Sequence, residues 1–120
     1  MACRFVTLVT TVPSRRHAAR IARALVEERL AACVQVSGPV RSTYWWKGKV
    51  ETATEWVCAA KTRASLSGKA EQAVRKLHPY ETPEIVVLSI TGGSAEYLDW
   101  VAAETKARPG RAARPVSTDS

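Results

Sequence analysis

The sequence predicts an α+β fold in which four strands and two helices follow the order βαββαβ, with a third helix after them. Segments rich in β-branched residues alternate with segments whose apolar residues recur at helical spacing. A Trp-Lys-Gly-Lys turn joins the second and third strands, because glycine tolerates the positive φ angle that a tight hairpin requires. Two strand–helix units that flank one hairpin form the split-βαβ, ferredoxin-like arrangement.

The first strand–helix unit occupies the first quarter of the chain. Residues 5–12 are rich in valine and threonine and form the first strand, which Pro13 ends. Ser14 then caps a helix that extends to residue 30 or 31. The apolar residues that this spacing turns inward are Ala18, Ile21, Ala22, Leu25 and Val26.

The hairpin follows this helix. The second strand begins at Cys33, and we expect the Gly38-Pro39 dipeptide to mark a bend or bulge that divides it in two. Its second half, residues 41–46, leads through the turn at Gly48 into a long third strand, residues 50–62.

The second strand–helix unit reverses that order. Its helix starts at Ser65 and ends near Leu77, and the strand over residues 84–91 contains the unbroken run IVVLSI. Such a run is typical of a strand buried on both faces. Two glycines end the strand, and Ser94 begins the third helix, residues 95–105.

Length and charge favour one domain with a short tail. At 120 residues the chain forms a single core, which we place in residues 1–105. Residues 106–120 hold four basic residues and one acidic residue among Pro, Gly and Ser, so we expect a disordered tail with a net charge of +3. The whole chain carries +7, and this tail accounts for much of it.

The sequence lacks the patterns of several function classes. The chain contains no membrane-span pattern, no secretory leader and no CxxC pair, so we expect a cytoplasmic protein with free thiols. No nucleophile elbow or phosphate-binding loop is present, which argues against an enzyme. The strands lack the aromatic run of RNA-recognition domains, so we expect no specific nucleic acid and no membrane partner.

Three large aromatic residues beside the hairpin turn form the first notable cluster. Strand alternation directs Tyr44 and Trp46 to one face and Trp45 to the other, so one face of a small domain cannot hide all three. Their burial against another chain is the natural resolution.

The segment HPYETPE, residues 78–84, forms the second cluster. Pro79 and Pro83 restrict the backbone on either side, so the loop is stiff. It is either a rigid connection whose polar groups satisfy the local backbone, or a preorganised binding or interface loop. The side chains that it would present are His78, Tyr80, Glu81 and Glu84.

The segments YWWKGKVE, HPYETPEIVVLSI and YLDWV, with LVEERLAACVQV before them, resemble the CutA family of divalent-cation-tolerance proteins. The resemblance runs from about Phe5 to Glu104. It implies a ferredoxin-like subunit in a PII-like homotrimer, a role in tolerance of copper and other divalent metals, and no established enzymatic activity.

The same resemblance implies a copper site made from a cysteine late in the first strand and two histidines at the end of the second helix. These positions correspond to Thr10, Leu77 and His78, so His78 is the one proposed ligand that this chain retains. A lone imidazole does not supply the three or four ligands that tight copper or zinc binding requires.

Two functions from different classes follow. The first is a non-enzymatic, trimeric metal-tolerance protein that needs no cofactor and binds copper or another divalent metal weakly through His78. The second is a PII-like signalling protein that binds a small anionic ligand in the clefts between subunits. The residues expected to line that cleft are Lys61, Arg63, Tyr80, Glu81, Glu84 and Trp45. The residues expected at the trimer interface are Tyr44, Trp45, Trp46 and Trp56.

Overall fold

The computed structural model describes residues 4–105 and confirms the α+β fold with its additional helix. The tail predicted for residues 106–120 lies outside the described part of the chain. The elements are β1 (Phe5–Val12), α1 (Arg15–Glu27), β2 (Cys33–Trp46), β3 (Lys49–Arg63), α2 (Ser67–Leu77), β4 (Ile85–Ile90) and α3 (Ala95–Glu104).

The four strands form one antiparallel sheet in the order β2-β3-β1-β4. Alternation along β1 directs Leu8 and Val12 to one face of the sheet, where α1 and α2 cover them. Residues such as Ile21 and Val74 are almost fully buried in that layer. Between residues 4 and 105, no helix is long and apolar enough to cross a membrane.

Helix α1 ends earlier than its apolar spacing predicts. Arg29 adopts a left-handed φ of 60°, which stops the helix after Glu27. The Leu30 N–H then donates to the Leu25 carbonyl, and the Arg29 N–H donates to the Val26 carbonyl, the pattern of a Schellman cap. The sequence places arginine where glycine usually stands, so this end could not be read from composition.

Strand β2 has the expected bulge at Gly38-Pro39, but the strand is continuous, which corrects the expectation that this dipeptide would divide it. The chain stays paired with β3 on both sides, and only the register shifts, between Ser37 and Val40. A bulge adds residues to one strand without ending the ladder, so the hairpin extends to its full length. At its tip, Lys47 and Gly48 have φ angles of 50° and 81°, as a type I′ turn requires.

Strand β4 lies at the edge of the sheet, so the prediction that it is buried on both faces is wrong for the single chain. Only β1 pairs with it, and Val86, Val87 and Leu88 are 41%, 42% and 52% exposed. The run of apolar residues therefore reflects a surface that the isolated chain does not cover.

Helix α2 begins at Ser67 rather than Ser65, after a short 3₁₀ turn, Ala64–Leu66. Helix α3 starts where the sequence predicts, because the Ser94 hydroxyl accepts the Tyr97 N–H. Its C-terminal end is held to the end of α1, where Arg29 forms an ion pair with Glu104 at 2.9 Å.

We predict that Gly38→Ala destabilises the fold by about 1–3 kcal/mol. Gly38 has a φ of 154°, and an added Cβ would lie 2.7 Å from the Trp56 ring. Chemical unfolding measures the change. Gly92→Ala is the matched control, since its Cβ would meet no atom within 4 Å. Equal stability of the two variants would contradict this account.

Candidate functional site

The loop over residues 78–84 is fastened to the sheet through His78. The Tyr80 N–H donates to His78 Nδ1 at 3.2 Å, so Nε2 carries the proton and donates to the Thr11 carbonyl at 2.8 Å. The His78 side chain is buried, and burial is the main cause that lowers the pKa of its imidazole. Both ring nitrogens are therefore engaged, and the histidine holds the loop against the end of β1.

Tyr80 makes the second attachment. Its hydroxyl donates to Glu55 Oε2 at 2.8 Å, and Glu55 is only 6% exposed although it lies in a strand. Burial, followed by the nearby Glu55 carboxylate, raises the pKa of Tyr80 above its usual range. The tyrosine ring also lies 4.9 Å from the His78 ring. The loop is thus joined to both β1 and β3.

A cleft of about 860 Å³ lies between this loop and the β2–β3 hairpin. Three carboxylates line it, from Glu55, Glu81 and Glu84, and Thr11 donates to Glu84 at 3.4 Å. Among the described residues, no lysine or arginine lines the cleft. Its remaining lining residues are Ser42, Thr43, Tyr44, Trp45, Trp46, Pro79, Tyr80 and Thr82.

The hairpin aromatics form the opposite wall of the cleft. Tyr44, Trp45 and Trp46 are 42%, 74% and 47% exposed, so the single chain leaves all three partly in solvent. Trp56 differs from them, because it packs against the core and faces Gly38. Of the four residues predicted for a subunit interface, three are therefore accessible to a partner and one is mostly internal.

The structure divides the residues predicted for a ligand cleft. Trp45, Tyr80, Glu81 and Glu84 lie together in the acidic cleft. Lys61 instead bonds to Gln35, and Arg63 lines a separate pocket near the chain start. A strand advances about 3.3 Å per residue, so Arg63, at the end of β3, lies roughly 26 Å along the strand from Glu55, which Tyr80 contacts. Within one chain, neither basic residue belongs to this cleft, and their place in a cleft between subunits stays a prediction.

The residues corresponding to the implied copper ligands do not fit a tight metal site within one chain. The Thr10 hydroxyl is fully buried with no hydrogen-bond partner, and Leu77 packs against the apolar core. His78 has both ring nitrogens occupied. Within the described range, no three His, Cys, Asp or Glu residues are grouped so as to hold a metal. Metal binding by His78 stays a prediction, and it requires the loss of one of these hydrogen bonds.

Two contributors to the cleft were not predicted from the sequence. Glu55 stands among strand residues, where no motif marks it as part of a site, although a carboxylate within a central strand is itself an unusual signal. Thr11 fits the pattern of β1 and carries no separate signal in the sequence. Both enter the site because the loop folds back over them.

The chain is similar to proteins of one family in sequence and in structure. The sequence profile described as CutA1 divalent ion tolerance protein matches residues 6–104. The chain is 46% identical over 98 residues to the divalent-cation tolerance protein CutA of Thermus thermophilus. The alignment covers 82% of this chain and 95% of that protein.

A plant protein and an archaeal structure are also similar. The chloroplastic protein CutA 1 of Oryza sativa is 38% identical over 101 residues, or 84% of this chain, but the chain spans only 57% of that protein. The structure of the periplasmic divalent cation tolerance protein CutA from Archaeoglobus fulgidus has a TM-score of 0.83 at 38% identity. The structural match covers 85% of this chain and 99% of the archaeal chain.

We predict that Tyr80→Phe lowers the free energy of unfolding by about 1–3 kcal/mol, because it leaves the buried Glu55 carboxylate without its donor. Equilibrium unfolding in urea measures the loss. Tyr44→Phe is the control, since the Tyr44 hydroxyl has no hydrogen-bond partner in the described chain. A Tyr80 variant as stable as this control would refute the anchoring role.

The lowered pKa of His78 predicts a loss of stability in acid. Its folded-state pKa lies below the ordinary value of 6.5, so the unfolded chain takes up a proton first as the pH falls. The stabilisation is present above about pH 6.5 and is lost as the pH falls through the folded-state pKa. Melting temperatures measured from pH 7.5 to 4.5 should show a smaller acid-dependent decrease in His78→Gln than in the wild type. His17→Gln should retain most of the decrease, because burial lowers the pKa of His78 more than the nearby His17 does. The same pH slope in all three proteins would contradict this.

Proposed function

The chain belongs to the CutA1 divalent ion tolerance protein family, and on that premise we propose that it binds divalent cations weakly in the acidic cleft. The observation that supports this proposal is the cleft lining, which holds three carboxylates and no basic side chain among the described residues. The names of the family and its relatives describe tolerance and no reaction, and we propose no catalytic step.

The ligand chemistry favours weak rather than tight binding. Glu81 and Glu84 are exposed and can offer oxygen atoms to a cation, whereas Glu55 is already engaged by Tyr80. Carboxylate oxygens bind most divalent metals with modest affinity unless several converge. His78 would add a nitrogen that copper prefers only if its bond to the Thr11 carbonyl is broken. We therefore propose that the two exposed glutamates contribute most of the affinity and that His78 is a conditional ligand.

We further propose that the working unit is a homotrimer. The isolated chain exposes an apolar edge strand, β4, and the aromatic side of the hairpin tip. An edge strand of this kind is normally covered, because its free backbone groups pair readily with another strand. A closed head-to-tail ring of three copies would cover one such edge per contact and leave none open. In that arrangement a neighbour would close the acidic cleft and could add ligands to it.

The compartment is a further part of the proposal. We place the protein in the cytoplasm, as the sequence predicts, although the rice relative is named chloroplastic and the archaeal structure periplasmic. No specific nucleic acid or membrane partner enters the proposal. The PII-like alternative places a small anion in the clefts between subunits. Within one chain the acidic cleft holds neither Lys61 nor Arg63, so those two contacts would have to come from a neighbouring subunit.

For the metal proposal, we expect copper and manganese to bind weakly to the wild type, and Glu81→Gln/Glu84→Gln to reduce the affinity about tenfold, as the loss of two carboxylate ligands should. Isothermal titration calorimetry measures both. The matched control is Glu71→Gln/Glu96→Gln, which removes the same charge from two helices. His78→Ala tests the conditional ligand: a loss of copper binding alone would show that its nitrogen takes part. Unchanged metal affinity in the cleft double variant would refute the cleft as the site.

For the trimer proposal, light scattering should return about three times the chain mass of 13.1 kDa. Trp45→Ala or Trp46→Ala should dissociate or strongly weaken the assembly, since each buried aromatic contributes roughly 1.5–3 kcal/mol. Arg20→Ala, an exposed change on α1, should leave the mass unaltered. A wild-type monomer at micromolar concentration would contradict the proposal.

A further inference from the structure

A second pocket, of about 270 Å³, lies at the opposite end of β3 from the acidic cleft. It is formed where the start of β1, the end of β3 and the last turn of α3 meet. We call it the Arg4–Arg63 pocket, after the two charged residues in its lining. The residues that line it are Arg4, Phe5, Arg63, Ala64, Ser65 and Ala102.

Arg63 is held in place by neutral groups. It stands directly opposite Phe5 in the β1–β3 ladder. Its Nε donates to the Thr105 hydroxyl at 3.2 Å, and Nη2 donates to the Ala102 carbonyl. These bonds orient the guanidinium and leave its positive charge uncompensated, while Nη1 has no partner in the described chain.

Arg4 is brought to the same place by its backbone. The Ala64 N–H donates to the Arg4 carbonyl at 2.8 Å, which joins the start of β1 to the residue after Arg63. The Arg4 guanidinium lies 5.3 Å from the centre of the Phe5 ring. This contact positions a flat cation above an apolar surface without using its N–H donors.

No carboxylate neutralises either arginine within residues 4–105. The three ion pairs of the described chain involve other arginines, and Glu104, the acid beside this region, is bound to Arg29 at 2.9 Å. Two like charges that line one small pocket repel each other. Arg4 is exposed, but Arg63 is half-buried, and a half-buried guanidinium is usually paired. Among residues 4–105, the pocket therefore has positive charge without a matching negative charge.

We propose that the Arg4–Arg63 pocket binds a small oxyanion, namely a phosphate or a carboxylate group. Arginine presents several N–H donors in a planar fork that matches both groups, and two such forks can bind one anion from two sides. The Ser65 hydroxyl can supply a further donor from the same lining. The apolar surfaces of Phe5 and Ala102 reduce access of water and so strengthen the attraction.

This site is independent of the metal proposal. The acidic cleft and the Arg4–Arg63 pocket have opposite charge and share no lining residue. The pocket also accounts for Arg63, which the sequence predicted as an anion contact and which the cleft does not include. A ligand here would bind through groups that a cation in the cleft does not touch.

The test is calorimetric titration of the full chain with inorganic phosphate and, separately, with succinate at low ionic strength. We expect the wild type to bind at least one of them, and the variants Arg4→Gln and Arg63→Gln each to weaken binding about tenfold or more, the usual effect of losing a charge-assisted bond. Arg20→Gln is the matched control: it removes the same charge from an exposed arginine on α1 and should bind as the wild type does.

The comparison between the two anions identifies the group recognised, phosphate or carboxylate. Arg63→Gln also removes hydrogen bonds to α3, so a melting curve accompanies it, and Arg4→Gln decides the result if the Arg63 variant is unfolded. The proposal would be overturned if neither phosphate nor succinate bound at millimolar concentration. It would also be overturned if Arg20→Gln weakened binding as much as Arg4→Gln, because the attraction would then be general. Copper and manganese titrations of the same Arg4→Gln protein should be unchanged, which separates this site from the acidic cleft.

Discussion

The buried carboxylate of Glu55 is the constraint on which the functional half of the molecule depends. A carboxylate that is 6% exposed is unfavourable unless it accepts hydrogen bonds, and the Tyr80 hydroxyl is the donor that the fold supplies. That bond requires the loop after α2 to fold back over β3. The His78 bond to the Thr11 carbonyl then fixes the same loop against β1. Together the two bonds create one wall of the acidic cleft.

The two ends of β3 acquire opposite electrostatic character from this arrangement. Near the hairpin, the returning loop adds Glu81 and Glu84 to a region that already contains Glu55. At the far end, the ladder brings Arg63 beside the chain start and Arg4. Charges of one sign that are gathered in a concave surface produce a stronger local potential than the net charge suggests. The net charge of +7 therefore describes neither site.

The exposed apolar residues are the other unsatisfied part of the structure. Strand β4 and the hairpin tip both leave large side chains in solvent, and they lie at the margins of the sheet rather than in its covered centre. A core of this size is complete with α1 and α2 on one face, so these residues have no internal place left to occupy. These exposed residues are the physical ground for the proposed assembly of several copies.

The sequence by itself determined the type and order of the elements, because apolar spacing, the Ser14 and Ser94 caps and the hairpin glycine are local signals. It also determined that residues 78–84 form a rigid loop, since two prolines restrict the backbone wherever the loop lies. The tertiary structure alone decided which distant residues meet. It placed Tyr80 on Glu55, separated Arg63 from Trp45, and put the apolar run of β4 at an edge. Those outcomes depend on strand order and register, which bring together side chains that are far apart in the chain and that no local pattern can relate.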